Sequence, residues 1–159
     1  MKGMSPVASP HRHRLGSLLV VLQFVLLLAL ALMALPAVLH GAWSIAGLVV
    51  LAASGTLGIW TLLHNRLGNF NIHPEPKSGG QLVVSGPYRY LRHPMYSAVL
   101  LLAAALAVLA LSWQAWAAWL TLACVLWLKA GMEERWLCEQ YPDYATYCQH
   151  SKRFVPWLL

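Results

Sequence analysis

Long apolar stretches without charge dominate the hydropathy pattern of this chain. Residues 15–39, 41–63 and 94–128 contain no Asp, Glu, Lys or Arg. A bilayer core about 30 Å thick is crossed by roughly 20 apolar residues in a helix, so the first two stretches each predict one transmembrane helix. The third is too long for one crossing, and Ser112 and Gln114 divide it into two helices joined by a tight turn. The pattern therefore predicts an all-α integral membrane protein with four transmembrane helices.

The first apolar stretch also has one property of a cleavable signal peptide. It is preceded by Lys2, Arg12 and Arg14, and a basic flank of this kind is required in a signal peptide. Its apolar run is well beyond the about 7–15 residues of a signal core, and no small-x-small cleavage site closes it. We therefore expect a retained helix.

A single membrane domain with three parts is expected over the whole chain. A basic tail occupies 1–14, helices 1 and 2 occupy 15–63, and the half with helices 3 and 4 occupies 64–157. The segment 64–92 is rich in Gly and Pro and cannot form a regular helix. So long an irregular loop is usually functional or disordered, and its patterned apolar and aromatic residues favour function. Helix 4 should project past the membrane as far as Pro142.

Composition and charge agree with this class and add an orientation. The chain is 59% apolar and 10% charged, against roughly 45–50% and about 25% in average globular proteins, which excludes an ordinary soluble domain, a disordered chain and a collagen-like fibre. All 11 Lys and Arg residues lie before helix 1, between helices 2 and 3, or from the end of helix 4 onward. Since cytoplasmic loops collect basic residues, both termini should be cytoplasmic, in an inner or plasma membrane. The net charge of +6 then reflects topology and anionic lipids, without a nucleic-acid partner.

Metal binding and disulfide formation have little support in the sequence. Cys124, Cys138 and Cys148 lack Cys-x-x-Cys spacing, so neither a zinc site nor a disulfide framework is expected. His11 and His13 belong to a basic tail, for which contact with the membrane surface is a simpler interpretation than metal binding. We expect no metal site.

Two clusters of polar side chains flank helices 3 and 4 on the predicted cytoplasmic side. The first lies in 86–96, where His93 precedes Pro94, a residue suited to the first position of a helix. The second consists of Lys129 and, about one helical turn later in the sequence, Glu133, Glu134 and Arg135. An antiparallel hairpin of the two helices would bring the clusters together. Ionisable groups at membrane depth are expensive, and they are functional candidates for that reason.

Each of these residues also has a simpler interpretation when taken alone. Arg89 and Arg92 could be cytoplasmic anchors, and the tyrosines could be interfacial belt residues. Lys129 and Glu133 have the spacing of an i,i+4 surface pair, worth a few tenths of a kcal/mol. The combination of the two clusters is what favours a functional site.

The ordered motif resembles a known enzyme family. The sequence reads Leu82-Val83-x-Ser85-Gly86-Pro87-Tyr88-x-x-x-Arg92-His93-Pro94-x-Tyr96, with Glu133-Glu134 farther on and Arg153-x-x-Pro156 at the end. This pattern resembles the isoprenylcysteine carboxyl methyltransferases and the related phospholipid methyltransferases. The resemblance covers about residues 64–157, whereas helices 1 and 2 carry no family signature.

The resemblance implies an integral membrane methyltransferase that uses S-adenosyl-L-methionine. It implies a cytoplasmic-side cofactor pocket built from the 64–94 loop, the hairpin of helices 3 and 4, and the C-terminal segment. The implied cofactor-binding residues are Gly80, Gln81, Leu82, Val83, Tyr88, His93, Pro94, Met95, Tyr96 and Glu133. The implied catalytic residues are Arg92, His93, Lys129 and Glu134. The acceptor would be lipid-like or a small hydrophobic molecule, with a prenyl-cysteine-type carboxylate as one candidate.

Several alternatives stay open at this point. Lys129 stands where the family commonly has an Arg linked to substrate, and Ala98 stands where it usually has Gly. Because Lys lacks the planar fork of Arg, the acceptor is not determined. A carboxylate acceptor needs no general base, whereas an amine or thiol would need one, for which His93 and Glu134 are candidates. An NADPH-dependent membrane sterol-type reductase and a non-catalytic membrane scaffold are alternative functions, and the sequence leaves the oligomeric state open.

Overall fold

The computed structural model describes residues 10–65 and 82–156, and within these ranges the fold is all-helical. Its five α-helices are α1 Pro10–Leu39, α2 Ile45–His64, α3 Pro94–Ala110, α4 Trp113–Gln140 and α5 Tyr144–His150. A short 3-10 turn, Gly86–Arg89, precedes α3. The all-α prediction is confirmed.

Three of the helices are long and apolar enough to cross a membrane. They are α1 from Arg14, α2 and α4. The fourth predicted crossing corresponds to α3, which is apolar but has only 17 residues. The described residues therefore contain four apolar helices, of which three meet the length for a crossing.

The break between α3 and α4 lies where the sequence predicts it. Leu111 has a left-handed backbone with φ of 47°, and the Ser112 hydroxyl accepts a hydrogen bond from the Ala115 amide at 3.3 Å. Such an N-cap satisfies one of the free amides of the new helix. At its far end α4 continues to Gln140, two residues before Pro142. At the start of the chain, α1 begins at Pro10 and so extends into the predicted tail.

Helix α3 lies at the centre of the bundle and contacts α1, α2 and α4. Its buried positions are mostly small, and Ala103, Ala105 and Ala107 are almost completely inaccessible. Small residues allow membrane helices to approach closely. The Ser54 hydroxyl of α2 also donates to the Ala98 carbonyl at 2.8 Å. This packing fixes the start of α3 relative to its neighbours.

The C-terminal segment, residues 151–156, returns to the start of α3. The amide of Arg92 donates to the Lys152 carbonyl at 2.7 Å, and the Lys152 amide donates to the Tyr90 carbonyl at 2.9 Å. The Ser97 hydroxyl donates to the Phe154 carbonyl at 2.7 Å. These bonds hold the C-terminal segment against the residues of the sequence motif.

Candidate active site

The two polar clusters lie together, with His93 between their carboxylates. The His93 Nδ1 atom is 3.5 Å from Oε2 of Glu133, and Nε2 is 3.3 Å from Oε1 of Glu134. His93 is buried at the N-cap position of α3, while both glutamates lie on α4. The α3–α4 hairpin therefore produces the meeting that the sequence predicts.

The electrostatics of this arrangement favour the imidazolium form of His93. Burial lowers the pKa of His93, but its hydrogen bonds to Glu133 and Glu134 outweigh that effect and raise the pKa above the ordinary value of 6.5. An opposite charge at this distance stabilises the charged form. The two neighbouring carboxylates therefore favour the protonated form of His93 over the neutral one.

Glu134 is held by two guanidinium groups. Arg92 Nε donates to its Oε1 at 2.8 Å, Arg153 Nε donates to the same oxygen at 3.1 Å, and Arg153 Nη2 donates to Oε2. The Arg153 guanidinium also lies 4.3 Å from the centroid of the Trp127 ring, a cation–π distance. Arg153 belongs to this cluster although sequence reasoning did not assign it to the site. Its place in the family-like ending was the available signal.

Arg92 also binds the backbone of the C-terminal part of the chain. Its Nη1 donates to the Cys148 carbonyl at 3.2 Å and to the Ser151 carbonyl. The five N–H donors of a guanidinium make such multiple contacts possible. Arg92 therefore joins Glu134, the start of α3 and the C-terminal segment.

Glu133 is the more accessible of the two carboxylates and has an aromatic partner. Its side chain is 31% exposed, against 14% for Glu134. The Tyr96 hydroxyl donates to its Oε2 at 3.0 Å. The Tyr96 ring is stacked on that of His93, with centroids 5.2 Å apart and planes 7° apart. Glu133 is thus ordered yet reachable by a ligand.

Lys129 is buried on α4 and points toward α1. Its Nζ donates to Oε1 of Gln23 at 2.6 Å, and it lies 5.2 Å from the centroid of the Tyr96 ring. The residue is only 1% exposed. Sequence reasoning missed Gln23, although an amide within a long apolar helix was a visible signal.

The remaining motif residues surround this cluster or lie outside the described ranges. Burial, followed by the charge of Glu133, raises the pKa of Tyr88 to about 12, so Tyr88 stays neutral. Gly86 has φ of +61°, a left-handed backbone that favours glycine, and a Cβ there would clash with the His64 ring. Pro94 and Met95 begin α3, and Leu82 and Val83 precede the 3-10 turn. Gly80 and Gln81, both predicted to bind the cofactor, lie outside the described residues.

An apolar groove of about 750 Å³ lies beside the cluster. Residues of α2, α3, α4 and the C-terminal segment line it, among them Trp60, Leu101, Ala104, Trp127 and Phe154. The Phe154 ring centroid is 6.0 Å from that of His93 and 6.3 Å from that of Tyr96. Phe154 therefore belongs to the groove wall and also lies beside the ionic cluster. This cluster consists of Arg92, His93, Glu133, Glu134 and Arg153.

The sequence of this chain also matches a known protein family. Residues 38–144 match the model of the family described as phospholipid methyltransferase, which is more than half of the chain. The chain belongs to the phospholipid methyltransferase family. This family is part of the integral membrane methyltransferase group that includes the isoprenylcysteine-type enzymes, so the resemblance read from the motif is confirmed. No curated protein matches the chain.

The match to the phospholipid methyltransferase family covers only part of the observed cluster. His93, Glu133 and Glu134 lie within the matched residues, whereas Gln23 and Arg153 lie outside them. The contacts of α1 and of the C-terminal segment with the cluster are therefore observations from the structure alone.

Proposed function

We propose that this membrane methyltransferase transfers a methyl group from S-adenosyl-L-methionine to a lipid-like or small hydrophobic acceptor at the membrane interface. The observation that supports this best is the position of Phe154. It places an ordered ionic cluster directly beside an apolar groove. A charged cofactor and an apolar acceptor need two such neighbouring environments.

The residues of the ionic cluster fit the chemistry of the cofactor. S-adenosyl-L-methionine supplies an activated methyl group on a sulfonium, and it carries ribose hydroxyls, an ammonium and a carboxylate. Glu133, as the accessible carboxylate, accepts from the hydroxyls or the ammonium. His93, whose protonated form is favoured by the two glutamates, attracts the carboxylate end. Tyr88, Tyr96 and the backbone of 80–83 complete the proposed cofactor site, with Pro94 and Met95 at the start of α3.

Three further residues are proposed to position the side chains that contact the cofactor. They are Arg92, Glu134 and Lys129. Arg92 and Glu134 fix the orientation of His93 through the bonds described above. Lys129 lies beside Tyr96. Methyl transfer is a single displacement, so positioning of the acceptor and exclusion of water supply most of the rate.

The apolar groove is proposed to hold the apolar part of the acceptor. Its lining is formed almost entirely by aliphatic and aromatic side chains, which favours a hydrocarbon chain over a polar molecule. We further propose an inner or plasma membrane location with both termini in the cytoplasm, so that the cofactor enters from the cytoplasm and the acceptor from the lipid.

Calorimetric binding to detergent-purified protein tests the cofactor proposal. We expect S-adenosyl-L-methionine and its demethylated product to bind in the micromolar range, and Glu133→Gln to weaken that binding at least about tenfold, since a charge-assisted hydrogen bond is lost. Glu139→Gln is the matched control, because it removes the same charge from an exposed position of the same helix.

Other outcomes identify the alternatives. Binding of NADPH without binding of S-adenosyl-L-methionine would assign the chain to the reductases. A folded protein that binds neither molecule would favour the non-catalytic scaffold.

A further inference from the structure

A polar link within the bundle connects α1 to the ionic cluster. Gln23 of α1 is 7% exposed and Lys129 of α4 is 1% exposed, and the lysine ammonium donates to the glutamine oxygen at 2.6 Å. The two residues are 106 positions apart in the chain. A buried ammonium is costly unless polar groups compensate it, so the partner supplied by α1 matters for where the ammonium lies.

The link continues from Lys129 to the accessible carboxylate. The Lys129 ammonium lies over the Tyr96 ring at 5.2 Å from its centroid, and the Tyr96 hydroxyl donates to Glu133 at 3.0 Å. Lys129 and Glu133 are also one turn apart on α4, where opposite charges attract each other. Any movement of the ammonium therefore acts on both the ring and the carboxylate.

We propose that Gln23 is a positioning residue of the cofactor site: it holds the Lys129 ammonium against the Tyr96 ring, and thereby keeps the Tyr96 hydroxyl on Glu133. The inference rests on the proposed function, in which Tyr96 and Glu133 contact S-adenosyl-L-methionine. It extends the site to α1, a helix outside the family match except for its last two residues. It also places Lys129 on the cofactor side of the site.

Cofactor affinity of matched variants tests the proposal. Gln23→Leu removes the glutamine oxygen that accepts from Lys129 while keeping a similar volume. It should weaken S-adenosyl-L-methionine binding about tenfold, as expected for a residue that acts through others. Gln23→Glu keeps an oxygen acceptor and should bind within about twofold of the original chain. Lys129→Met should weaken S-adenosyl-L-methionine binding as much as Gln23→Leu does. The double variant should bind no more weakly than the single variant with the lower affinity, because the effects of coupled residues are not additive.

Leu30→Ala separates positioning from a purely structural role. Leu30 is completely buried on the same helix, so its truncation lowers the melting temperature by creating a cavity without touching the polar link. We expect unchanged cofactor affinity in Leu30→Ala. The proposal is overturned if Gln23→Leu lowers the melting temperature but leaves cofactor affinity unchanged, or if Lys129→Met changes only the apparent KM of the acceptor.

A second readout does not depend on cofactor binding. In protein labelled with 13Cζ tyrosine, the Tyr96 resonance is assigned by its loss in Tyr96→Phe, and it reports on the hydrogen bond of the hydroxyl. Gln23→Leu should shift this resonance and Leu30→Ala should not; an unshifted resonance in Gln23→Leu overturns the inference. If the original chain binds no S-adenosyl-L-methionine, the proposed function fails, while the resonance still shows whether Gln23 positions the Tyr96 hydroxyl.

Discussion

At the scale of single residues, the site depends on a histidine placed between two carboxylates. His93 contacts Glu133 through one ring nitrogen and Glu134 through the other. The sequence could suggest these two contacts but not establish them, because His93 is far from Glu133 and Glu134 along the chain. The His-Pro pair and the Glu-Glu pair were visible, whereas the pairing of individual nitrogens and oxygens depends on how α3 and α4 pack.

The pH dependence of stability follows from the pKa of His93. Because its pKa is raised in the folded state from an ordinary value of 6.5, the stabilisation is fully present below pH 6.5 and is lost as the pH rises through the folded pKa. We expect the melting temperature to fall over that range in the original chain. The fall should be absent in His93→Gln, as measured by thermal unfolding in detergent at several pH values. An identical fall in both proteins would show that other groups cause it.

At the scale of secondary structure elements, the C-terminal segment completes the site. Residues 151–156 pair with the start of α3 and contribute Arg153 and Phe154 to the cluster and to the groove. The ends of α3 and α4 were predictable from the sequence, since Pro94, Ser112 and Pro142 act locally on the backbone. The return of the C-terminal segment was not predictable, because nothing local to residues 151–156 indicates which helix they contact.

Loss of the Arg153 guanidinium should lower the stability of the fold. Arg153→Gln removes the bonds to Glu134 and the contact with Trp127, and we expect a loss of about 1–3 kcal/mol in the free energy of unfolding. Lys152→Gln removes the same charge from the exposed neighbouring residue and should change stability by less than about 0.5 kcal/mol. Denaturant unfolding of the two variants measures the difference. Equal losses would mean that net charge, and not the cluster, is responsible.

At the scale of the whole molecule, α3 is packed against α1, α2 and α4 and contributes residues to two environments. On one side its start bears His93 and Tyr96, and along another face Leu101 and Ala104 line the apolar groove. The outer surfaces of α1 and α2 expose many large apolar side chains, as a protein in lipid requires. The molecule thus offers a charged site and an apolar groove that meet at Phe154.

Filling the groove should affect the acceptor and not the cofactor. Ala104→Phe places a ring in the groove, so we expect the apparent KM of the acceptor to rise about tenfold while S-adenosyl-L-methionine affinity stays within about twofold. Ala53→Phe adds the same ring to an exposed position of α2 and is the control. Radiolabelled methyl transfer to phosphatidylethanolamine in nanodiscs and to a farnesyl-cysteine analogue provides the measurement. Unchanged KM for every accepted substrate would show that the acceptor binds elsewhere.

The sequence alone determined the membrane class, the approximate helices and the family. These properties depend on the length of apolar runs, on local helix signals and on motif spacing, all of which are visible in the sequence. Only the tertiary structure decided that Gln23 reaches Lys129, that Arg153 holds Glu134 and that Phe154 joins the groove to the cluster. The physical reason is that these contacts join residues distant in sequence, and their formation depends on how the helices and the C-terminal segment pack together.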